Sequence, residues 1–155
     1  MKKIGYLACL IVGLMFLVNA QSYAKDPDEE VSGLLQRIIL LSAKMHQQGY
    51  TIVHIEVDKL EQGQKYMTSR RLFNDNHYKI AGIGGVGISD LDIKLYDSNN
   101  NLIDEDTSTD NIPEVYVSPR WSGDFFIRTS FHSLSRGYPT NSEYFFCYMV
   151  GFKRR

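Results

Sequence analysis

Over the C-terminal two thirds of the chain, short runs of residues alternate between apolar and polar side chains, and no other feature limits the fold as strongly. In the first run, Val53, Ile55 and Val57 occupy one face of an extended chain. His54 and Glu56 occupy the opposite face, because successive side chains of a strand point to opposite sides. Turn-forming residues separate the runs. The pattern predicts strands at residues 51–57, 65–73, 77–81, 88–96, 102–103, 114–118, 124–131 and 143–152.

A series of about eight short strands with regular turns is typical of a β-sandwich. We therefore expect a mostly β fold, a jelly-roll-like antiparallel β-sandwich over residues 50–155. The last predicted strand is apolar on both faces, with Phe146 and Tyr148 on one side and Cys147 and Met149 on the other. Such a strand must be covered on both faces. We expect the sandwich core to cover one face and a helix to cover the other.

An amphipathic helix is predicted at residues 27–48, within an N-terminal segment that spans 25–49. Asp26 is the expected N-cap, Pro27 the first helical residue, Glu29 the partner of a capping box and Gly49 the C-terminal cap. The apolar residues at helical spacing are Val31, Leu34, Leu35, Ile38, Leu41 and Met45. The polar face mixes acidic, amide and basic residues, which favours packing on the protein's own sheet over a membrane-surface helix or a partner helix.

The first 24 residues resemble a bacterial secretory signal peptide. A basic start at Lys2 and Lys3 precedes an apolar run at 4–18, which is shorter than the ~20 residues of a spanning helix. Small residues offer cleavage after Ala20 or Ala24. We therefore expect a periplasmic or secreted protein that has no membrane attachment after cleavage.

The mature protein would keep a single cysteine, Cys147, and so no internal disulfide. Its apolar neighbours indicate a buried thiol rather than a nucleophile. Loss of Lys2 and Lys3 leaves 15 basic against 18 acidic residues, a net charge of about −3. That balance argues against a nucleic-acid partner.

The glycine run at 82–87 fits the G-x-G-x-x-G pattern of dinucleotide-binding proteins. That fingerprint requires a helix after the glycines, whose N-terminus holds the pyrophosphate. Residues 88–96 alternate as a strand instead, and Asp90 and Asp92 would repel a phosphate. We interpret the glycines as a flexible connection between two strands.

The same region resembles a known family. The segments YKI at 78–80, SDLDIKLYD at 89–97, PEV at 113–115 and GDFFI at 123–127 are similar to those of the bacterial pre-peptidase C-terminal domain, although Phe125 replaces its usual tyrosine. The resemblance covers residues 65–153. It implies a jelly-roll-like sandwich in a secreted protein, usually a non-catalytic accessory to a hydrolase. The chain is too short to hold that hydrolase as well, so we expect a free-standing relative in which the accessory role does not carry over.

Acidic side chains cluster around the predicted fourth and fifth strands. Asp90, Asp92, Asp97, Asp104 and Asp106 lie close together in the sequence. Oxygen ligands at this density suit Ca²⁺, and we expect them to converge if they form a metal site. The alternative is ordinary turn chemistry, since Asp favours turns and keeps sheet edges soluble. No motif requires a cofactor, and Ca²⁺ is the one candidate.

Two classes of function remain open. The first is a non-catalytic binding or structural module that acts on a protein or glycan partner through a sandwich face or loop end. Tyr96, Tyr116 and Trp121 are its candidate contact residues, because exposed rings stack on sugars or anchor partners. The second is a small periplasmic hydrolase whose Ser, His and Asp residues come together from distant positions. No catalytic motif is present, so we expect a protein that is not an enzyme.

Overall fold

The computed structural model describes residues 27–155, so the predicted signal peptide and the expected N-cap Asp26 lie outside the described residues. Among these described residues, one helix precedes eight strands: α1 (Pro27–Gln47), β1 (Thr51–Glu61), β2 (Lys65–Leu72), β3 (Asn76–Gly84), β4 (Ile88–Tyr96), β5 (Leu102–Asp106), β6 (Glu114–Val117), β7 (Gly123–Leu134) and β8 (Glu143–Arg154). Within this part of the chain, no helix has the length and apolar character that crossing a membrane requires.

The strands form two four-stranded sheets in the orders β1-β8-β3-β6 and β2-β7-β4-β5. Every pairing is antiparallel. Successive strands pass from one sheet to the other at every connection except β4–β5, which is the jelly-roll arrangement. Buried side chains from both sheets, among them Ile80, Ile93, Phe131 and Phe146, fill the space between them. The predicted jelly-roll-like sandwich is therefore confirmed.

Helix α1 lies on the outer face of the first sheet, as expected. Its buried side chains are Leu34, Ile38, Leu41 and Met45, and they form a second core with Ala81, Ile83, Cys147 and Met149 of β3 and β8. Acidic residues in the first turn and basic residues in the last turn complement the helix dipole. This second core explains why β8 is apolar on both faces.

Gly49, whose φ of 84° is left-handed, caps the C-terminus of α1. Gly49 N donates to His46 O at 2.9 Å, and Tyr50 N donates to Met45 O at 3.0 Å. These two bonds form a Schellman motif and satisfy carbonyls that the helix end leaves free. The predicted C-terminal cap is confirmed.

A buried lysine anchors the C-terminal half of α1 to the sheet. The Lys79 side chain on β3 is 0 % exposed and donates to Glu114 Oε2 at 2.7 Å and to Gln48 Oε1 at 2.8 Å. Lys44 of the helix donates to the other oxygen of Glu114 at 2.9 Å. Burial opposes ionisation of Glu114, but the hydrogen bonds from these lysines and from Tyr116 outweigh it and lower its pKa to about 2.

The glycine run is tightly packed, and its first half belongs to β3 rather than to the predicted connection between two strands. Strand β3 continues to Gly84, and β4 begins at Ile88. A Cβ on Gly85 would lie 2.4 Å from the carbonyl oxygen of Phe145, and Gly87 has a φ of 107°. Glycine is needed here for close backbone approach and for one left-handed residue. A strand follows the run, as expected, so no helix N-terminus is available for a pyrophosphate.

The flank of α1 that faces β1 is more exposed than the helical spacing of its apolar residues predicts. Leu35 was expected in the buried stripe, but its side chain is 52 % exposed. Arg37 and Lys44 reach β3 and β6 from the opposite flank. Since β1 and β6 are the two edges of this sheet, Leu35 and Ile39 lie on the flank towards β1.

Candidate functional site

The first strand is oriented with its apolar face outward. Ile55 and Val57 are each about half exposed on this face, whereas Val53, also half exposed, is the extra residue of a β-bulge between Ile52 and His54. His54 and Glu56 pair with Val150 and Tyr148 of β8, whose side chains belong to the sandwich core. The polar face of β1 therefore turns into the space between the sheets, where it needs polar partners.

These partners form a cluster of five side chains, which we call the polar cluster: His54, Glu56, Tyr66, Arg70 and Tyr148. Tyr66 and Arg70 lie on β2 of the second sheet, whereas Tyr148 lies on β8 of the first. The cluster therefore links the two sheets through hydrogen bonds. It lies where the open edges of the sheets, β1 and β2, face each other.

Glu56 is the centre of the polar cluster. Its Oε2 accepts from Tyr148 OH at 2.6 Å and from the Arg70 guanidinium, and His54 Nε2 lies 2.9 Å away. Its Oε1 accepts from the Tyr66 hydroxyl. Burial raises the pKa of this carboxyl, but the hydrogen bonds and the Arg70 charge outweigh burial and lower it to about 2. The bond to Glu56 in turn raises the pKa of Tyr66 to about 12.

A pocket of about 390 Å³ lies beside the polar cluster, and we call it the edge pocket. Its described lining residues are Val53, His54, Arg70, Arg71, Leu72, Phe73, Asn76, Tyr78, Val150 and Phe152. The volume falls in the range of small-molecule sites. Most of the wall is apolar or aromatic, and a few polar groups are set into it, as is usual for ligand pockets.

The polar groups of the edge pocket are mainly donors. Tyr78 OH accepts from Phe73 N at 3.0 Å and from Asn76 Nδ2 at 3.2 Å, which leaves its own hydrogen for another acceptor. Arg70 Nε is buried and has no hydrogen-bond partner among the described residues. Buried donors without acceptors are uncommon and costly. The pocket can therefore accommodate a group that accepts hydrogen bonds.

The five predicted calcium ligands do not converge. In the ladder between β4 and β5, Asp104 and Asp106 lie opposite the core residues Leu95 and Ile93. They therefore face the interior, whereas Asp90 and Asp92 alternate with the core residues and face outward. Within residues 27–155, no group of three or more His, Cys, Asp or Glu side chains is placed to hold a metal ion. The register puts the two pairs on opposite faces, so the geometry of the described residues gives no support to a shared calcium site.

Asp104 and Asp106 have a structural role at the sheet edge. Asp106 Oδ2 accepts from Glu114 N at 2.8 Å, and Asp104 Oδ2 accepts from Tyr116 N at 2.7 Å. Both donors belong to β6, the edge strand of the first sheet. The two carboxylates therefore satisfy amides that an edge strand would leave unpaired, and they fasten β5 to β6 across the sandwich.

Two of the other three acidic residues, Asp97 and Asp92, have partners in the fold. Asp97 accepts from Asn99 N and Asn101 N, both at 2.8 Å, and stabilises the turn between β4 and β5. On the outer face of β4, Asp92 lies 2.9 Å from His132. Burial, opposed by the charge of His132, raises the pKa of Asp92. Asp90 Oδ1 beside it is buried without a partner among the described residues.

We expect Ca²⁺ to leave the melting temperature unchanged. The carboxylates are divided between two faces and a turn, so a single cation cannot bind them together. Melting curves in chelator and in millimolar Ca²⁺ should then superimpose, because only ligands that bind the folded state shift the transition. A rise of several degrees that Asp92→Asn abolished would restore the calcium site.

The three predicted contact aromatics have separate partners. Tyr116 donates to Glu114 at 2.7 Å and remains half exposed. Trp121 stacks on Phe125 at a centroid distance of 6.1 Å and is also half exposed. Tyr96 is partly buried, and the Arg128 guanidinium lies 5.1 Å from its ring. Trp121 also lines a shallower pocket of about 300 Å³ with Ile103 and Val117.

The edge pocket was missed from the sequence, although a signal was present. A histidine and a glutamate on one face of β1 and an arginine on the inner face of β2 are unusual if those faces line a core. The alternation alone could not tell which face turned inward.

Comparisons with known proteins do not assign the chain to a family. No family model matches the chain, and no curated protein matches it. The resemblance to the pre-peptidase C-terminal domain therefore stays a prediction.

Proposed function

We propose that this protein is a secreted, non-catalytic binding module that takes a small ligand into the edge pocket. The observation that carries the proposal is the pocket itself, in which apolar walls surround donors of His54, Arg70 and Tyr78 at an open sheet edge. Its volume of about 390 Å³ suits a ligand the size of a metabolite.

The chemistry of the polar cluster favours binding over catalysis. Glu56 is held ionised by donors on both oxygens, and a carboxylate with a pKa of about 2 is a poor general base near neutral pH. Cys147 lies beneath α1, and burial raises its thiol pKa to about 12, so it does not supply a thiolate. These groups stabilise the fold and orient the pocket walls.

The hydrolase alternative has weaker support. His77 Nδ1 contacts Ser118 Oγ, and both side chains are exposed. A nucleophilic serine needs a histidine that a third group orients. Among the described residues, no carboxylate is hydrogen-bonded to His77, so this contact does not extend to a triad.

A second mode of binding is favoured by exposed apolar side chains on α1 and β1. Ile55 and Val57 pair with Met149 and Cys147, which lie beneath α1, so they share the face that carries the helix. Leu35, on the helix flank towards β1, is exposed as well. Contiguous apolar surface next to a free strand edge is typical of protein docking sites. A partner protein on this surface would leave the edge pocket free.

Binding in the edge pocket can be tested with phenylpropanol, a neutral probe with an aromatic body. We expect its amide chemical-shift changes to map to the pocket walls. Val53→Trp should weaken binding at least tenfold, since position 53 is 55 % exposed and a larger side chain there narrows the pocket without disturbing the core.

The matched control is Val57→Trp, which adds the same ring to an exposed position of β1 outside the pocket. It should bind phenylpropanol as the wild type does. Equal binding by all three proteins, or shift changes centred elsewhere, would contradict the proposed site.

A further inference from the structure

The edge pocket has a donor surplus that defines the chemistry of its ligand. We propose that it binds a monocarboxylate with a compact apolar body, with the carboxylate on the arginine side and the body against the aromatic wall. This inference rests on the proposed function, because it names the ligand class of the same pocket.

The edge pocket contains a hydrogen-bond donor that has no acceptor in the described part of the chain. The Tyr78 hydroxyl hydrogen has no acceptor among the described residues, because its oxygen already accepts from Phe73 N and Asn76 Nδ2. Arg70 is held in the wall, since its Nη1 donates to Ser69 O at 2.8 Å and its Nη2 donates to Glu56. A ligand that brings an acceptor oxygen would satisfy the Tyr78 hydroxyl, whereas a ligand with only donors would not.

The wall of the edge pocket has a net positive charge. The ten described residues that line the pocket include Arg70, Arg71 and His54 but no Asp or Glu. Glu56 neutralises Arg70 from behind the wall. Arg71 has only a loose and exposed contact with Asp124, at 3.9 Å, which offsets little of its charge. About one positive charge is therefore left for the ligand, which matches a single carboxylate.

The apolar part of the pocket wall limits how polar the ligand can be. Five lining residues are apolar: Val53, Leu72, Phe73, Val150 and Phe152. A multiply charged group such as a phosphate would lose hydration that these side chains cannot replace. A monocarboxylate that bears an alkyl or aryl body presents one charge to Arg71 and apolar surface to the rest.

The test compares three probes that differ only in the head group: phenylpropanoate, phenylpropanol and phenylpropylamine. Calorimetric titration at pH 7 should show phenylpropanoate binding at least tenfold more tightly than the alcohol, and the amine more weakly than either. Arg71→Gln should reduce the affinity for phenylpropanoate towards that of phenylpropanol, so that the tenfold preference for the carboxylate is lost. Because Arg71 is largely exposed, this variant keeps the fold.

The matched control is Arg136→Gln, which removes one positive charge from the exposed turn between β7 and β8. It should preserve the preference for the carboxylate. If the alcohol and the carboxylate bind equally in the edge pocket, the ligand class is wrong while the binding module stands. If none of the three probes binds there, the proposed function is overturned together with this inference.

Discussion

Leu41→Asp is expected to lower the free energy of unfolding by about 4 kcal/mol. Leu41 lies on the buried face of α1 and is 4 % exposed, in the core that the helix forms with β3 and β8. The substitution removes an apolar side chain and places a carboxylate among groups that offer it no hydrogen bond. Urea unfolding followed by circular dichroism measures the loss.

Leu35→Asp is the matched control, with the same chemical change six residues earlier in the same helix. Leu35 is 52 % exposed, so we expect a change of less than about 1 kcal/mol. Equal losses in the two variants would show that the face of α1 described here is not the buried one.

Acid should destabilise the protein between pH 4.5 and 2. The pKa of Glu56 is about 2 in the folded protein and 4.5 in the unfolded chain. Ionised Glu56 therefore contributes its full stability above pH 4.5, and this contribution is lost as the pH falls through the folded pKa. The difference corresponds to about 3 kcal/mol. Glu114, also with a pKa of about 2, adds a second contribution in the same window.

Glu56→Gln isolates the polar-cluster contribution. We expect this variant to lose about 3 kcal/mol at pH 7 and to show a shallower decline between pH 4.5 and 2. Chemical unfolding at a series of pH values provides the comparison. Glu61→Gln, an exposed position on the same strand, is the control and should follow the wild-type curve. A wild-type stability that stayed constant down to pH 2 would contradict the role assigned to Glu56.

The two predictions concern different layers of the molecule. Leu41 belongs to the core between α1 and the first sheet, whereas Glu56 belongs to the link between the two sheets. The polar cluster also forms one side of the edge pocket, through His54 and Arg70. Loss of Glu56 should therefore change ligand binding as well as lower stability, because it leaves the Arg70 charge without its partner, while Leu35→Asp should leave both intact.

Local patterns in the sequence determined where the elements lie. Alternation over β4 and helical spacing over α1 reflect the geometry of each element by itself, and the predicted bounds of both agree with the structure within one residue. Gly49 was identified as the helix cap for the same reason. Whether a helix end requires a left-handed residue depends only on the backbone beside it. The jelly-roll class followed from the number and spacing of the strands.

Only the tertiary structure decided whether each face of a strand or helix contacts the core, another element or solvent. The apolar face of β1 turns outward because β1 is an edge strand beside a helix, and Glu56 finds its partners in Tyr66 on the opposite sheet and in Tyr148, 92 residues away. The register of β5 against β4 placed Asp104 and Asp106 inside, where they satisfy β6. An alternating pattern repeats every two residues whichever side is buried, so it fixes the spacing of side chains but not their surroundings. Those surroundings depend on contacts between distant parts of the chain. The same long-range contacts formed the edge pocket.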